Sequence, residues 1–347
     1  MSEKARPRIA LDAMGGDDAP KSVVLGAVDA AERYANELQV LLVGDGTAIE
    51  QVRPARELAR LGIEIVQSSE SVGMGESAAT SYRRKQDSSI AVANRLLTEG
   101  RADAIVSAGN TGAVVTASLL GLSRIKGVLR PAIASIVPTV HGRCLLLDVG
   151  AVADAKPANL YQFAVMGRVY AETVHGTVKP RVGLLNIGEE REKGSDLYKQ
   201  SFRLLEERAE YLNFIGNVEG RDVLGGDVDV VVCDGFTGNV LLKFAESIIG
   251  VVNGTIRKEL GQSLVFRFGA LLMKPVFSRL KSRLNYEEVG GAPLLGVNGI
   301  VVIAHGSSSP LAIRNAIHMA AAMAQEGVVA KIGEELSREL LREEATG

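Results

Sequence analysis

Five apolar runs in this chain each end in a turn of glycine and small polar residues, and each turn leads into a helical pattern. The turns lie at 12–17, 107–113, 186–195, 234–239 and 305–310. An uninterrupted apolar strand is buried on both faces, and strands that alternate with helices pair in parallel. Further strands are expected at 38–43, 63–66, 132–137, 143–149 and 211–215, with helices between them. The short link Pro138–Gly142 permits 132–137 and 143–149 to form an antiparallel pair within a mostly parallel sheet. With no sequence repeat and no low-complexity linker, residues 1–347 read as one compact α/β unit.

In an open parallel sheet, ligands bind outside the carboxyl ends of the strands. All five turns are therefore expected on one edge. Ser107-Ala-Gly-Asn-Thr-Gly-Ala113 places Ser107, Asn110, Thr111 and Gly112 at a helix start, where unpaired N–H groups and a partial positive charge suit an anion. The first turn adds Asp12, Gly15, Gly16 and Asp17. The others add Asn186 and Lys193, then Asp234, Thr237 and Asn239, then His305 and Ser307.

Several chemistries lack their usual signals. There is no GxxxxGK[ST] or GxGxxG for a nucleotide, and no HExxH or paired CxxC for a metal, so neither metal nor cofactor is expected. There is no GxSxG nucleophile elbow. A net charge of −2, no Trp and only 4% aromatic residues argue against a nucleic-acid surface. Cys144 and Cys233 sit in apolar runs and read as buried thiols of a reducing compartment. Met1–Pro7 lacks the apolar core of a signal peptide, so a cytoplasmic protein is expected.

Residues 253–285 break the pattern. Leu264, Phe268 and Leu271 are interleaved with Arg257, Lys258, Arg267 and Lys274, and Pro275 divides two helical pieces. This stretch is expected to project as an amphipathic helical hairpin. Its candidate uses are a dimer contact, a foot on an anionic membrane surface, and a dock for an acidic carrier protein.

The quoted turns, together with Leu147-Asp-Val-Gly-Ala151, Gly183-Leu-Leu-Asn-Ile-Gly-Glu-Glu190, Asn213-Phe-Ile-Gly-Asn-Val-Glu-Gly220, Gly290-Gly-Ala-Pro-Leu-Leu-Gly296 and Ala304-His-Gly-Ser-Ser308, resemble the phosphate acyltransferase (PlsX) family of bacterial phospholipid synthesis. The resemblance covers roughly 8–320. It implies a three-layer α/β/α fold like that of isopropylmalate dehydrogenase and phosphotransacetylase, a homodimer, and peripheral membrane association. It also implies conversion of acyl-acyl-carrier-protein and inorganic phosphate to acyl phosphate, which a glycerol-3-phosphate acyltransferase uses downstream. Val152 stands where the family usually has Asn, and Gly75–Ala79 departs from its Pro-containing acidic segment.

On these residues, Ser107, Asn110 and Thr111 are expected to bind phosphate, and Lys193 to add positive charge. Asn239, Thr237 and the backbone after Asp234 would orient phosphate or thioester, while His305 would give a proton to the leaving thiolate. Asp12 and Asp17 would orient donors. The alternatives are acyl exchange with coenzyme A, as in phosphotransacetylase, and a non-catalytic scaffold for carrier protein.

Overall fold

A computed structural model describes residues 6–276, 279 and 288–346. The side chains of Ala78, Ala79, Asn253, Arg257, Gly261, Leu264, Arg267 and 340–346 lie outside the description, as do Phe277, Leu280, Lys281 and Arg283. The strands are β1 (Arg8–Asp12), β2 (Gln39–Gly44), β3 (Glu64–Gln67), β4 (Ala104–Ser107), β5 (Ala132–Thr139), β6 (Gly142–Leu147), β7 (Val182–Leu185), β8 (Phe214–Val218), β9 (Val230–Val232), β10 (Ala292–Leu295) and β11 (Val301–Ile303). They form one sheet in the order β3-β2-β1-β4-β11-β10-β5-β6-β9-β7-β8. The helices are α1 (Lys21–Arg33), α2 (Gly46–Val52), α3 (Ala55–Arg60), α4 (Ala78–Arg84), α5 (Ser89–Thr98), α6 (Thr111–Gly121), α7 (Pro157–Thr173), α8 (Asp196–Glu206), α9 (Ala209–Leu212), α10 (Asp222–Gly225), α11 (Gly235–Gly261), α12 (Leu264–Leu272), α13 (Pro310–Glu326) and α14 (Val328–Thr346).

The sheet is mostly parallel, as expected, but strand direction reverses at three successive junctions. β3, β2, β1, β4 and β11 run one way. β10 is antiparallel to both β11 and β5, and β5 to β6. β6, β9, β7 and β8 therefore run opposite to the first block. The expectation of one common edge is corrected here: the turns at 12–17, 107–113 and 305–310 leave one edge, and those at 186–195 and 234–239 leave the other. Twist changes the angle between the two edges. At ~20–25° per strand, the four steps from β4 to β6 rotate the strand direction by roughly 80–100°. The two sets of carboxyl ends thus point about a right angle apart.

Helices cover both faces. On one face α1, α7 and α13 bury Val24, Phe163, Tyr170, Ile313 and Ile317. On the other, Ile90 and Leu96 of α5 and Val114 and Ala117 of α6 pack against Ile105, Leu146 and Val231. Gly167 lets α7 lie close to the sheet, because a Cβ there would sit 2.6 Å from Val230 Cγ1 and 2.9 Å from Leu147 Cδ2. The charged α14 is pinned by Arg168–Glu335 at 2.8 Å and by the Tyr161 hydroxyl on Glu339 at 2.5 Å. Both cysteines are free and buried.

Three elements differ from the sequence reading. β10 lies outside every strand expected from the sequence. The strand read at 211–215 is instead α9 followed by β8. The helix after Asp234 runs on into the stretch read as a separate hairpin, to Gly261, and α12 begins after Ser263, whose hydroxyl accepts the Val265 N–H at 3.1 Å.

Overpacking of this kind typically costs ~1–3 kcal/mol. Gly167→Val should lower unfolding stability by about that amount in denaturant titration. An unchanged midpoint would mean that α7 is free to shift off the sheet.

Candidate active site

At the first edge a buried carboxylate organises three turns. Asp12, at the end of β1, accepts the Ser107 hydroxyl at 2.7 Å and the Met14 N–H at 3.1 Å. Ser107 Oγ in turn accepts the Gly109 N–H at 3.1 Å. Burial pushes the Asp12 carboxyl up, partly offset by hydrogen bonds from Ser89 and Ser107. Gly15 must be glycine, since a Cβ would lie 2.6 Å from Gly109 N. The Asp17 N–H donates to Gly306 O at 2.8 Å, and Ala304 N–H to Ser107 O at 2.9 Å, which ties the third turn to the other two.

Asn110 caps α6. Its Oδ1 accepts the Ala113 N–H at 2.9 Å, and its Nδ2 donates to Met74 O at 2.5 Å. Thr111 and Gly112, the first two residues of α6, are exposed. His305 is exposed; its Nδ1 lies 2.8 Å from the Ser307 hydroxyl and 3.2 Å from the Ser307 backbone nitrogen.

At the second edge Asp148 plays the part of Asp12. It is fully buried and accepts backbone N–H groups from Ile133 (2.9 Å), Gly150 (3.1 Å), Ala151 (3.0 Å) and Val152 (2.6 Å). Burial pushes its carboxyl up, partly offset by those donors. The α11 start sits directly on this turn: Gly235 N–H donates to Val152 O at 2.8 Å, and a Cβ on Gly238 would meet Asp148 O at 2.0 Å. Val152 thus contributes its backbone.

Asp234 caps α11. It accepts the Thr237 N–H at 2.9 Å, the Thr237 hydroxyl at 2.7 Å and the Tyr198 hydroxyl at 2.6 Å. Burial raises the Asp234 carboxyl, but the bonds from Tyr198 and Thr237 outweigh it and hold the group below the usual carboxylate range. Asn239 is exposed in the first turn of α11, beside Gly150. Asn186 accepts the Ile187 N–H at 2.9 Å and donates to Lys193 O at 3.1 Å, while the exposed Lys193 ammonium lies 3.8 Å from Glu190.

Both helix starts lie on one face of the sheet. Val115 and Leu119 of α6 and Leu241 and Leu242 of α11 pack against the same core cluster. The structure therefore brings Asp12, Gly15, Gly16, Asp17, Ser107, Asn110, Thr111, Gly112, His305 and Ser307 together at one helix start. It brings Asn186, Lys193, Asp234, Thr237 and Asn239 together at another. The Ser107 hydroxyl, expected to face an anion, is spent on Asp12 and Gly109; the Thr237 hydroxyl is spent on Asp234. Sequence reasoning left Asp148, Tyr198 and Met74 out of the site. Asp148 carried a signal, an apolar run ending before Gly150. Tyr198 carried none, because nothing local marks a helical Tyr that reaches a cap 36 residues away.

A polar cluster at helix starts beside the strand ends of such a sheet defines an α/β enzyme of the phosphotransacetylase fold. A phosphotransacetylase (EutD) from Staphylococcus aureus superposes with a TM-score of 0.60 at 17% identity, over 92% of this chain and 94% of that one. A 4-hydroxythreonine-4-phosphate dehydrogenase from Klebsiella pneumoniae does so at 0.53 and 14%, over 94% and 99%. Residues 7–331 match the family described as "Fatty acid synthesis protein". A phosphate acyltransferase from Heliobacterium modesticaldum is 54% identical over 330 residues, 95% of this chain and 97% of that protein. Another from Desulfitobacterium hafniense is 49% identical over 332 residues, 95% and 98%. The chain belongs to the phosphate acyltransferase family and is an acyltransferase.

Losing a helix cap costs ~1–2 kcal/mol. Asp234→Ala should show that deficit at pH 7 by calorimetry. The Asp234 pKa is lowered on folding, so its stabilisation is present above the unfolded value of about 3.9 and is lost as pH falls through the folded one. The gap between wild type and variant should close on acidification below about pH 4; a gap constant with pH would dissociate the carboxylate charge from the cap.

Proposed function

We propose that the enzyme transfers an acyl group from an acyl-carrier-protein thioester to inorganic phosphate, with residues 1–347 forming one catalytic unit. The observation that carries this reading is the pair of capped helix starts, α6 and α11, on one sheet face, with Thr111 and Gly112 exposed at the first and Asn239 exposed at the second. One start suits an anion and the other a polarised carbonyl.

The chemistry asks little of a strong base or acid. Phosphate is largely dianionic near neutral pH, its second pKa being ~6–7 by analogy with phosphate esters. A thiolate leaves readily, with a thiol pKa of about 8.5. The work is positioning, oxyanion stabilisation and exclusion of water from a mixed anhydride. Thr111, Gly112 and the α6 backbone hold phosphate. Asn239 and Lys193 face the developing oxyanion. His305 gives a proton to the leaving sulfur. Asp12, Asp148 and Asp234 brace the turns and do not touch phosphate, because like charges repel.

Beyond the site, α11 exposes a stripe of Phe236, Val240, Phe244, Ile248 and Val251, and α12 exposes Val265, Phe266, Phe268 and Leu271. Lys258 and Lys274 are exposed beside them; Arg257, Leu264 and Arg267 lie on the same helices. Gly235–Leu260 is long and apolar enough to cross a membrane by length and composition: one 18-residue stretch of it has a mean hydropathy of 1.3 and is 11% buried. Its first turn is built into the Asp148 site, which favours a helix lying on an anionic membrane surface over one crossing it. A cytoplasmic homodimer, peripherally bound and handing acyl phosphate to a glycerol-3-phosphate acyltransferase, completes the proposal.

Incubating the full chain with acyl-carrier-protein thioester and phosphate should yield acyl phosphate, trapped as its hydroxamate. Acyl-coenzyme A should be a poor substitute; equal turnover would favour the phosphotransacetylase-like exchange, and no product at all the scaffold. Losing an oxyanion donor costs ~3–4 kcal/mol of barrier, so Asn239→Ala or Lys193→Ala should cut turnover at least about a hundredfold. Undiminished turnover would remove that residue from catalysis. Separately, Phe268→Glu with Leu271→Glu should abolish flotation with anionic liposomes while the fold, read by circular dichroism, is kept.

A further inference from the structure

The loop that carries Lys193 joins β7 to α8 and has little apolar packing. Ile187 and every side chain from Glu189 to Lys193 are exposed. Polar contacts hold it instead. At its start, Asn186 donates its N–H to Val218 O, at the end of β8, at 2.8 Å, and its Nδ2 to Lys193 O at 3.1 Å. Its turn is set at Glu190, whose carbonyl accepts the Lys193 N–H at 3.1 Å and Asn217 Nδ2 at 2.9 Å. The Lys193 stem then folds back over Gly188, where a Cβ would lie 3.1 Å from both Cγ and Cε of the lysine. Beyond the loop, the Tyr198 hydroxyl ties α8 to Asp234 at the start of α11. The loop is thus held by β8 on one side and by the α11 cap on the other.

Asn217 is the buried member of these contacts. It lies in β8 opposite Leu184 of β7 and is 6% exposed. Its Oδ1 is buried with no hydrogen-bond partner among the described residues. A buried unpaired acceptor costs stability, whereas an apolar side chain of similar shape costs little. Leu184, Leu185 and Val218 around it are buried and apolar, so the wall itself does not call for an amide. The asparagine gives up stability for one bond, and that bond falls on the turn that presents Lys193. A local rule broken in this way is a mark of functional sites.

We propose that Asn217 is a positioning residue for acyl transfer. Its Nδ2 holds the Glu190 carbonyl, so that the 190–193 turn aims the Lys193 ammonium at the reacting carbonyl; Asn217 itself does not touch substrate. This rests on the acyl-transfer reading, in which Lys193 faces the developing oxyanion. A long, flexible lysine stem delivers its charge reproducibly only from a fixed base, and a misplacement of about 1 Å can cost ~10²-fold in rate.

A double-mutant cycle with Lys193→Ala tests this, with turnover of acyl-carrier-protein thioester and phosphate read as hydroxamate. Asn217→Leu alone should cut kcat about tenfold to a hundredfold. Its thermal midpoint should be unchanged or raised, since an unpaired acceptor is removed and Glu190 O keeps the Lys193 N–H. Added to Lys193→Ala, it should cost less than about twofold. Amide hydrogen exchange should quicken within 186–195 and not in α7. Asn217→Ser, too short to reach the Glu190 carbonyl, runs the same cycle should the leucine variant fail to fold. Full turnover in the Asn217 variants, an equal loss with and without Lys193, or unchanged exchange at 186–195 would each overturn the proposal and leave the acyl-transfer reading standing. Undiminished turnover of Lys193→Ala would instead remove Lys193 from that reading, and this proposal with it.

Discussion

The fold turns on one buried carboxylate. Asp148 gathers four backbone N–H groups, from β5 and from the turn after β6, and its own N–H donates to Cys233 O at the end of β9. Burying a bare carboxylate costs several kcal/mol. Hydrogen bonds to a charged group return ~1.5–3 kcal/mol each. The carboxyl still ends up raised, so burial outweighs the donors and the group holds its turn under load. That turn fixes Val152 O, on which Gly235 N–H docks, and presents the Asp148 carbonyl that only a glycine at 238 clears. The start of α11 is thereby located to within the tolerance of a hydrogen bond.

Asp12 does the same on the other side of the reversal, with Ser107 and Gly109 in place of the amide ring. A wholly parallel sheet would place both turns on one edge, side by side and pointing the same way. Running the second block backwards, and letting twist turn it through about a right angle, gives the two helix starts different directions on one sheet face. That suits a reaction in which an anion approaches a carbonyl from one side while its oxygen is held from another.

The strands were legible because most are uninterrupted apolar runs. β10 was not: Ala-Pro-Leu-Leu is short, carries Pro293 and is flanked by Gly291 and Gly296, all of which read locally as loop. Its identity as a strand depends on β11 and β5 closing on either side, which no local pattern encodes. The same holds for the direction of the second block, since polarity follows from how the chain crosses over and not from any one strand. Within the site, the residue types of the turns were readable but the aim of each side chain was not. Ser107 and Asn110 look equivalent in sequence. In the fold, Ser107 is sealed beneath Asp12, whereas Asn110 caps α6 next to its exposed first residues.

α11 joins two properties that are usually separate. Its first turn carries Asn239 and is locked by Asp234, Tyr198 and the Asp148 carbonyl. Immediately beyond, Val240, Phe244 and Ile248 repeat at four-residue spacing on its exposed side. A helix transmits displacement along its axis because its hydrogen bonds are internal and continuous. Any partner that grips that stripe therefore acts on the position of Asn239 through one rigid element. The lock at Asp148 resists such a displacement, and Gly238 is where it would be felt first, since a gap that excludes a single Cβ leaves no slack for the backbone to move toward the carbonyl.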